Sequence, residues 1–192
     1  PCDPERANVS VEMEACRALF GGLIGATAED VAITFSTSYA VAAAARNLSV
    51  GKGQEIVVLE GQFPSNYYAW QKCAERDGGR LRVVARSADF DWTSGVLEAI
   101  GPQTGLVTLP NCHWTDGSVL DLVAIGEICR ERGIPLVVDA TQSIGAMPTD
   151  IARIKPDYMI ASAYKWLLCP DMMGFMYVAP HRQGGEPVED NH

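Results

Sequence analysis

A carboxylate and a lysine stand just beyond two apolar runs of this 192-residue sequence. Asp139 directly follows the run at residues 136–138, and Lys165 lies three residues after Ser162, which ends the run at residues 158–161. Apolar runs of this length without alternation are typical of strands covered on both faces of a sheet. Open α/β sheets form their ligand sites at the carboxyl ends of such strands. We therefore expect Asp139 and Lys165 to lie at one site.

Lys165 has mostly apolar neighbours, with Tyr164 before it and Trp166, Leu167 and Leu168 after it. Desolvation lowers the pKa of a lysine, and the neutral amine is the form that attacks a carbonyl to make a Schiff base. A plainer alternative is a surface lysine at the end of a strand, whose stem covers the tryptophan. The lysine alone leaves both interpretations open.

Asp139 needs a cationic or hydrogen-bonding partner, because a carboxylate at the end of a buried strand is costly without one. A pyridinium nitrogen would serve, and so would the N-terminus of a helix or an arginine. Gln142, Ser162 and Lys165 follow Asp139 closely in the sequence. Together these four residues form a candidate cofactor site.

Three hydroxyl residues, Ser36, Thr37 and Ser38, stand between the first predicted strand and a helix. Hydroxyls and free N–H groups at the N-terminus of a helix bind phosphate well. A serine or threonine that only caps the helix is the commoner alternative. The strand is not followed by GxxxxGK[ST] or GxGxxG, which disfavours a nucleoside triphosphate or a dinucleotide.

The loops after two other predicted strands carry further candidates. Phe63 could stack on a planar ring or simply anchor its loop. Asn111 and His113 follow the next strand, at the same predicted edge of the sheet. His113 could act as an acid or base, although a single loop histidine more often only forms hydrogen bonds. The remaining histidines lie near the C-terminus, so no metal site is expected.

The elements that must position these residues alternate between strands and helices, which predicts an α/β fold with a mostly parallel mixed sheet between two helical layers. The predicted strands are residues 31–35, 55–59, 81–85, 106–109, 136–138, 158–161 and 174–178. The predicted helices are residues 9–24, 39–48, 67–77, 93–100 and 120–132. Residues 1–8 and 183–192 are expected to be irregular. We expect residues 1–192 to form one domain.

Composition excludes several classes of partner. A net charge of −9 argues against non-specific binding to nucleic acid or to an anionic membrane surface. The sequence contains no stretch of eighteen apolar residues, so no membrane span is predicted. The six cysteines are scattered without a CxxC pair, which indicates small core residues in a reducing compartment, and we expect a cytoplasmic protein. They are Cys2, Cys16, Cys73, Cys112, Cys129 and Cys169.

Several motifs together resemble the large domain of class V aminotransferases. They are DATQSIG at residues 139–145, PTD at 148–150, PD at 156–157, SAYKW at 162–166 and GFMYV at 174–178. The family consists of fold-type I enzymes that use pyridoxal 5′-phosphate (PLP), and it includes cysteine desulfurases, kynureninases and isopenicillin N epimerase-like proteins. The resemblance covers roughly residues 14–178. It implies the PLP-transferase large-domain fold.

The resemblance also implies roles for individual residues. Lys165 matches the lysine that forms the Schiff base and moves the substrate proton. Asp139 matches the carboxylate that keeps the pyridine nitrogen protonated. Gln142 matches a residue that hydrogen-bonds the phenolic oxygen of the ring or the lysine region, and Asn111 matches an asparagine near an oxygen of the cofactor.

The phosphate and the ring of the cofactor have implied partners of their own. Phe63 stands where the family has its stacking aromatic residue. The implied phosphate ligands are Thr37, Ser38, Ser162 and Tyr164. Two residues depart from the commonest family pattern. Many members have histidine directly before the lysine, where this chain has Tyr164, and many desulfurases have histidine as the stacking residue, where this chain has Phe63. Tyr164 is similar to kynureninase-like branches, and Phe63 is closer to the kynureninase and epimerase-like branches.

The resemblance implies a PLP-dependent enzyme that acts on an amino acid and forms a homodimer. Transamination is one reading, and a lyase of the kynureninase or cysteine desulfurase type is another. Family members are longer, with a small C-terminal domain that supplies the arginine for the substrate carboxylate, and we expect this domain to be absent here. A non-catalytic PLP-binding or scaffold domain therefore stays open, as does a sugar- or nucleotide-binding α/β protein.

Overall fold

Seven strands form one sheet in the computed structural model, which describes residues 4–189 and the side chains of residues 11–189. In chain order the strands are β1 (Val31–Thr34), β2 (Glu55–Leu59), β3 (Arg80–Val84), β4 (Thr104–Pro110), β5 (Leu136–Asp139), β6 (Tyr158–Ser162) and β7 (Gly174–Val178). Their order across the sheet is β1-β7-β6-β5-β4-β2-β3. Only β7 runs against its neighbours, so the sheet is mixed but mostly parallel.

The helices lie on both faces of this sheet. They are α1 (Pro4–Ile24), α2 (Thr37–Asn47), α3 (Ser65–Asp77), α4 (Trp92–Ala99), α5 (Leu122–Glu131) and α6 (Ile151–Ile154). Short 3-10 turns occur at Ala28–Asp30 and Pro180–Arg182. The three-layer α/β architecture expected from the alternating pattern is confirmed.

Two hydrophobic cores, one on each face of the sheet, hold these layers together. The first contains buried side chains of α1, α4 and α5, among them Phe20, Trp92 and Ile125. The second contains Ala40, Ala44 and Ala45 of α2 and, from α3, Trp70. Successive strand residues point to opposite cores, as Ile56 and Val57 do in β2. Burial on both faces explains why the central strands are apolar without alternation.

The N-terminal helix differs from its prediction. Residues 4–8 were expected to be irregular, but α1 begins at Pro4, and residues 1–3 lie outside the described residues. Of its apolar positions, Phe20 is buried and stacks on Phe175 with ring centroids 4.4 Å apart, whereas Leu19 and Leu23 are exposed. The spacing of apolar residues therefore predicted a helix correctly, but it did not indicate which of these residues face the sheet.

One helix was missed altogether. α6 is a single turn, too short for hydrophobic periodicity to reveal. Asp150 caps it by accepting a hydrogen bond from Ala152 N at 2.9 Å. At the C-terminal end, residues 183–189 form no helix or strand, and residues 190–192 lie outside the described part of the chain.

Cysteines and membrane spans can be assessed for the described residues. Cys16, Cys73, Cys112, Cys129 and Cys169 are free thiols, whereas Cys2 lies outside the described residues. Burial raises the pKa of the Cys129 thiol to about 12 and that of Cys73 to about 11. No helix within residues 4–189 is long and apolar enough to cross a bilayer.

Candidate functional site

The carboxyl ends of β1, β2, β4, β5 and β6 meet at one edge of the sheet, where a cavity of about 280 Å³ opens. β1 shares this direction because it and β6 both run antiparallel to β7. Eight of the nine residues to which the family resemblance gives a role line this cavity. They are Thr37, Ser38, Phe63, Asp139, Gln142, Ser162, Tyr164 and Lys165.

A cluster of hydroxyls lies where α2 begins. Ser36 caps the helix by accepting a hydrogen bond from Tyr39 N at 3.1 Å. Thr37 Oγ1 lies 2.5 Å from Ser162 Oγ and 3.4 Å from Thr141 Oγ1, which in turn accepts from Ser162 N at 3.1 Å. The N-terminus of a helix carries positive partial charge and favours anions. This end of the cavity can therefore hold a phosphate group.

Asp139 lies beside this cluster, at the end of β5. It is 7% exposed and accepts a hydrogen bond from Thr141 N at 3.1 Å. Burial raises the pKa of its carboxyl group, and the hydrogen bonds from Thr141 only partly oppose this rise. No basic side chain of the described residues forms an ion pair with it. A bound group with a positively charged N–H would stabilise the ionised carboxylate.

Lys165 lies in the loop between β6 and β7. Its side chain is exposed, and Nζ lies 5.4 Å from the centre of the Tyr164 ring. Of the two interpretations of Lys165, the structure favours the exposed amine, since the neighbouring Trp166 and Leu168 are 52% and 87% exposed. The lysine is nevertheless part of the cavity lining. Its amine is accessible to a ligand that enters the cavity.

Short backbone contacts fix the loop that carries Lys165. Ala163 N donates to Met173 O at 2.9 Å, which closes the loop at its base. Gly145 has a φ of +95°, and a Cβ placed there would lie 2.5 Å from Trp166 O. Only glycine combines this conformation with so close an approach. The glycine of the DATQSIG motif thus packs directly against the residue that follows the lysine.

Phe63 forms the wall of the cavity on the β2 side. Gln62, the residue before it, accepts a hydrogen bond from Leu59 N at 3.1 Å and donates to Asn66 O at 2.5 Å. The Phe63 ring itself is 45% exposed, and Trp114 packs edge-to-face against it at 5.4 Å. A planar ligand can stack on this side of the cavity.

Asn111 and His113 do not line the cavity. Asn111 is 7% exposed, and its amide donates to Ser143 Oγ at 2.9 Å. His113 is 2% exposed, stacks on Trp92 and lies 3.1 Å from Glu60 O through Nε2. Of the two readings of His113, the structure therefore favours hydrogen bonding within the protein.

Sequence reasoning missed several lining residues. Thr141 lies within the DATQSIG motif and was detectable as a hydroxyl two residues after Asp139. Others follow the same strand ends but have no distinctive spacing: Gln62, Ser65, Cys112, Trp114, Met172 and Met173. Within residues 11–189, no group of three or more His, Cys, Asp or Glu side chains could hold a metal ion.

The lining residues together fit one kind of ligand. Hydroxyls at a helix N-terminus favour an anion, the unpaired buried carboxylate favours a ring N–H, and the exposed amine favours a carbonyl. A phosphate, a pyridine nitrogen and an aldehyde are all present in PLP. The fit rests above all on Asp139, because a buried carboxylate without a cationic partner is costly until a ligand supplies one.

The family model and the relatives found by comparison with known proteins agree with one another. The model of the family described as aminotransferase class V matches residues 5–188. Isopenicillin N epimerase of Streptomyces clavuligerus is 30% identical over 164 residues, covering 83% of this chain and 41% of that protein. A probable cysteine desulfurase of Methanothermobacter thermautotrophicus is 32% identical over 174 residues, covering 90% of this chain and 43% of that protein.

Solved structures agree with the fold. The Escherichia coli cysteine desulfurase CsdA superposes with a TM-score of 0.84 at 20% identity, over 95% of this chain and 47% of that chain. A variant of C-DES with glycine covalently linked to its PLP cofactor superposes with a TM-score of 0.82 at 24% identity, over 94% of this chain and 49% of that chain. The present chain therefore spans less than half the length of these relatives.

Proposed function

The chain belongs to the class V aminotransferase family, and from this premise we propose that it binds PLP and acts on an amino acid. The observation that carries the proposal is that Asp139, buried and without a cationic partner among the described residues, lines the same cavity as the amine of Lys165. PLP acts as an electron sink when it is bound, stabilising negative charge next to the amino nitrogen of the substrate.

Under this proposal, the residues that line the cavity have separate roles in binding the cofactor. Thr37 and Ser162 hold the phosphate with the N-terminus of α2, together with Ser38 and Tyr164. Asp139 keeps the ring nitrogen protonated, and Phe63 covers one face of the ring. The Lys165 amine attaches the cofactor and moves a proton at its Nζ, because it is the only amine that lines the cavity within residues 11–189.

The reaction is proposed at the level of the family. Relatives include a probable cysteine desulfurase as well as an uncharacterised aminotransferase from Bacillus subtilis. The proton transfer by Lys165 would be common to transamination and to a lyase reaction. We therefore propose a PLP-dependent aminotransferase or lyase, and the products formed from amino acids decide between the two.

Cofactor binding is tested by adding PLP to the purified protein, reducing with borohydride and mapping the modified peptide. The chain has four lysines, at residues 52, 72, 155 and 165. We expect a visible absorbance band and a fixed adduct on Lys165, both absent in Lys165→Ala. Lys72→Ala serves as the control, since Lys72 lies on α3 outside the cavity. An adduct spread over all four lysines contradicts the proposal.

Turnover is tested separately from binding. The PLP-loaded protein is mixed with single amino acids, and the absorbance band and the products are followed. A keto acid with conversion of the cofactor to its amine form indicates transamination, whereas sulfide, alanine or another cleavage product indicates a lyase. A Lys165 adduct without any product supports the alternative of a non-catalytic PLP-binding domain.

We also propose that the chain forms a homodimer through the surface around the site. Leu168 and Met172 are 87% and 76% exposed, in the loop that carries Lys165. Both adopt a positive φ, of 55° and 64°, which is unfavourable for side chains of this size. Large apolar side chains that are held exposed on one loop favour a protein partner that covers them.

Two further proposals concern the chain as a whole. Residues 1–192 form one PLP-binding large domain, which is supported by the single sheet with a core on each face and predicts unfolding in one transition. The cytoplasm is the proposed location, because the five described cysteines are free thiols. Cell fractionation checks the location.

A further inference from the structure

Two consecutive residues of the β4–α5 connection hydrogen-bond to two consecutive carbonyls of the β2–α3 connection. His113 Nε2 lies 3.1 Å from Glu60 O, and Trp114 Nε1 donates to Gly61 O at 2.7 Å. A carbonyl can only accept, so Nε2 of His113 donates to Glu60 O, while Nδ1 lies 2.9 Å from Thr115 Oγ1. These two bonds join the loops directly before Phe63.

The Trp114 ring adds a third contact between the two loops. It packs edge-to-face on the Phe63 ring, with centroids 5.4 Å apart and planes at 86°. Both rings line the cavity, and each is about half exposed. An aromatic ring on a surface loop has several rotamers available, and an edge-to-face neighbour restricts them. Trp114 therefore limits the positions that the Phe63 ring can take.

The Trp114 loop is anchored in the core. His113 is 2% exposed and stacks on the buried Trp92 of α4, with centroids 4.9 Å apart and planes at 17°. Within the same loop, Cys112 and Val119 form an isolated antiparallel β-bridge. Gly61, by contrast, is exposed and adopts a φ of +66°. His113 and Trp114 thus connect the core at Trp92 to Gly61 and to the Phe63 ring.

We propose that Trp114 is a positioning residue, which holds Phe63 against the face of the PLP ring and bounds the space beside that ring. This role rests on the proposed function, since it requires PLP in the cavity. Trp114 acts through Phe63 and through the Gly61 carbonyl. Its loss leaves the lysine, the carboxylate and the hydroxyl cluster intact, so that PLP still reaches Lys165 but with a less ordered ring.

The test compares wild type, Trp114→Ala and Trp114→Phe with Tyr68→Ala as a matched control. Tyr68 is also exposed and forms an edge-to-face pair with Tyr67, at 5.5 Å and 87°, but does not line the cavity. Three quantities are measured on the full chain: the Kd for PLP, the circular dichroism in the absorbance band of the cofactor, and the borohydride-fixed adduct on Lys165.

We expect Trp114→Ala to raise the Kd roughly 2- to 12-fold, the range of a lost aromatic pair, and to reduce the cofactor dichroism while the Lys165 adduct still forms. Trp114→Phe keeps a ring but loses the bond to Gly61 O, so its values should fall between those of wild type and alanine. Equal Kd and dichroism in wild type and Trp114→Ala overturn the proposal, as do equal losses in Trp114→Ala and Tyr68→Ala.

A measurement without cofactor separates this inference from the proposed function. Hydrogen exchange of the peptide at residues 60–66 should be faster in ligand-free Trp114→Ala than in wild type, whereas the peptide at residues 136–145 should not change. Unchanged exchange at residues 60–66 contradicts the contact between the loops. A wild-type protein that forms no Lys165 adduct overturns the proposed function itself, even if the exchange result holds.

Discussion

Thr37 Oγ1 lies 2.5 Å from Ser162 Oγ, although the two residues are 125 positions apart in the chain. One hydroxyl begins α2 and the other ends β6, so the pair joins the first βα connection to the strand that precedes Lys165. Both side chains are buried and line the cavity. The hydroxyl pair therefore places the proposed phosphate site at a fixed distance from the loop that carries the lysine.

Ser162→Ala should weaken PLP binding roughly tenfold or more, because a hydrogen bond to a charged phosphate is stronger than one between neutral groups. Pyridoxal, which lacks the phosphate, is the matched ligand and should bind wild type and variant alike. Both affinities are measured by titration of the absorbance band. Equal weakening of PLP and pyridoxal contradicts a phosphate site at Ser162.

Asp139→Asn should make the ligand-free protein more stable at neutral pH, by about 1 kcal/mol, the lower end of the desolvation cost of a buried polar group. Burial raises the pKa of Asp139 in the folded state, so ionisation opposes folding. The stabilising contribution of protonated Asp139 is fully present at pH values below the pKa of the unfolded state. It is lost as the pH rises through the raised pKa of the folded state.

Urea unfolding of wild type and Asp139→Asn across the acid-to-neutral range measures this effect, without PLP. The variant should show a smaller fall in the free energy of unfolding as pH rises. Asp171→Asn, at an exposed position near the Lys165 loop, is the control and should follow the wild-type curve. A variant less stable than wild type at neutral pH would refute the account of Asp139 as an unpaired buried carboxylate.

Gly145→Ala should displace the Lys165 loop, since the new Cβ would lie 2.5 Å from Trp166 O. Gly133→Ala is the control, because Gly133 also has a positive φ, of +65°, but no atom lies within 4 Å of its added Cβ. Both variants should lose roughly 1–2 kcal/mol from the backbone conformation alone. Only Gly145→Ala should also lose most of the borohydride-fixed adduct on Lys165. Similar adduct yields in the two variants would argue against control of the loop by Gly145.

Leu168→Asp should dissociate the proposed homodimer, because a charge buried in an interface without a partner is costly. Sedimentation of wild type should give about twice the chain mass of 20.7 kDa, and the variant should give the chain mass itself. Val83→Asp is the control, since Val83 is exposed on the edge strand β3, away from the cavity. A monomeric wild type that still turns over an amino acid would rule out a site that requires two chains.

The strands were predictable because their burial on both faces leaves a continuous apolar signal. Asp139, Ser162 and Phe63 follow such runs, and parallel strands bring their carboxyl ends to one edge whatever the details of packing. Local pattern and topology therefore sufficed to predict that these residues share a cavity. The extra residues of α1 and the single turn of α6 gave no comparable signal, because neither has an apolar face of several turns.

Side-chain direction was less predictable. Asn111 follows β4 as expected, but its amide turns away from the cavity to Ser143. Lys165 has apolar neighbours in sequence, yet Trp166 and Leu168 are more than half exposed and the lysine side chain is exposed as well. Trp114 had no motif to distinguish it, since its contacts are with a loop more than fifty residues earlier in the chain. Proximity in the sequence indicates neither the rotamers of side chains nor the contacts between loops.

The sequence by itself determined the α/β architecture, the family and the identity of the main candidate residues, because periodicity, strand ends and motif spacing are local properties. Only the tertiary structure decided which hydroxyls meet, that Asp139 has no cationic partner among the described residues, and that Gly145 and Trp114 support the lysine and phenylalanine loops. These features depend on distances of a few ångströms between segments far apart in the chain. Such distances arise from packing of the whole domain, which no single segment encodes.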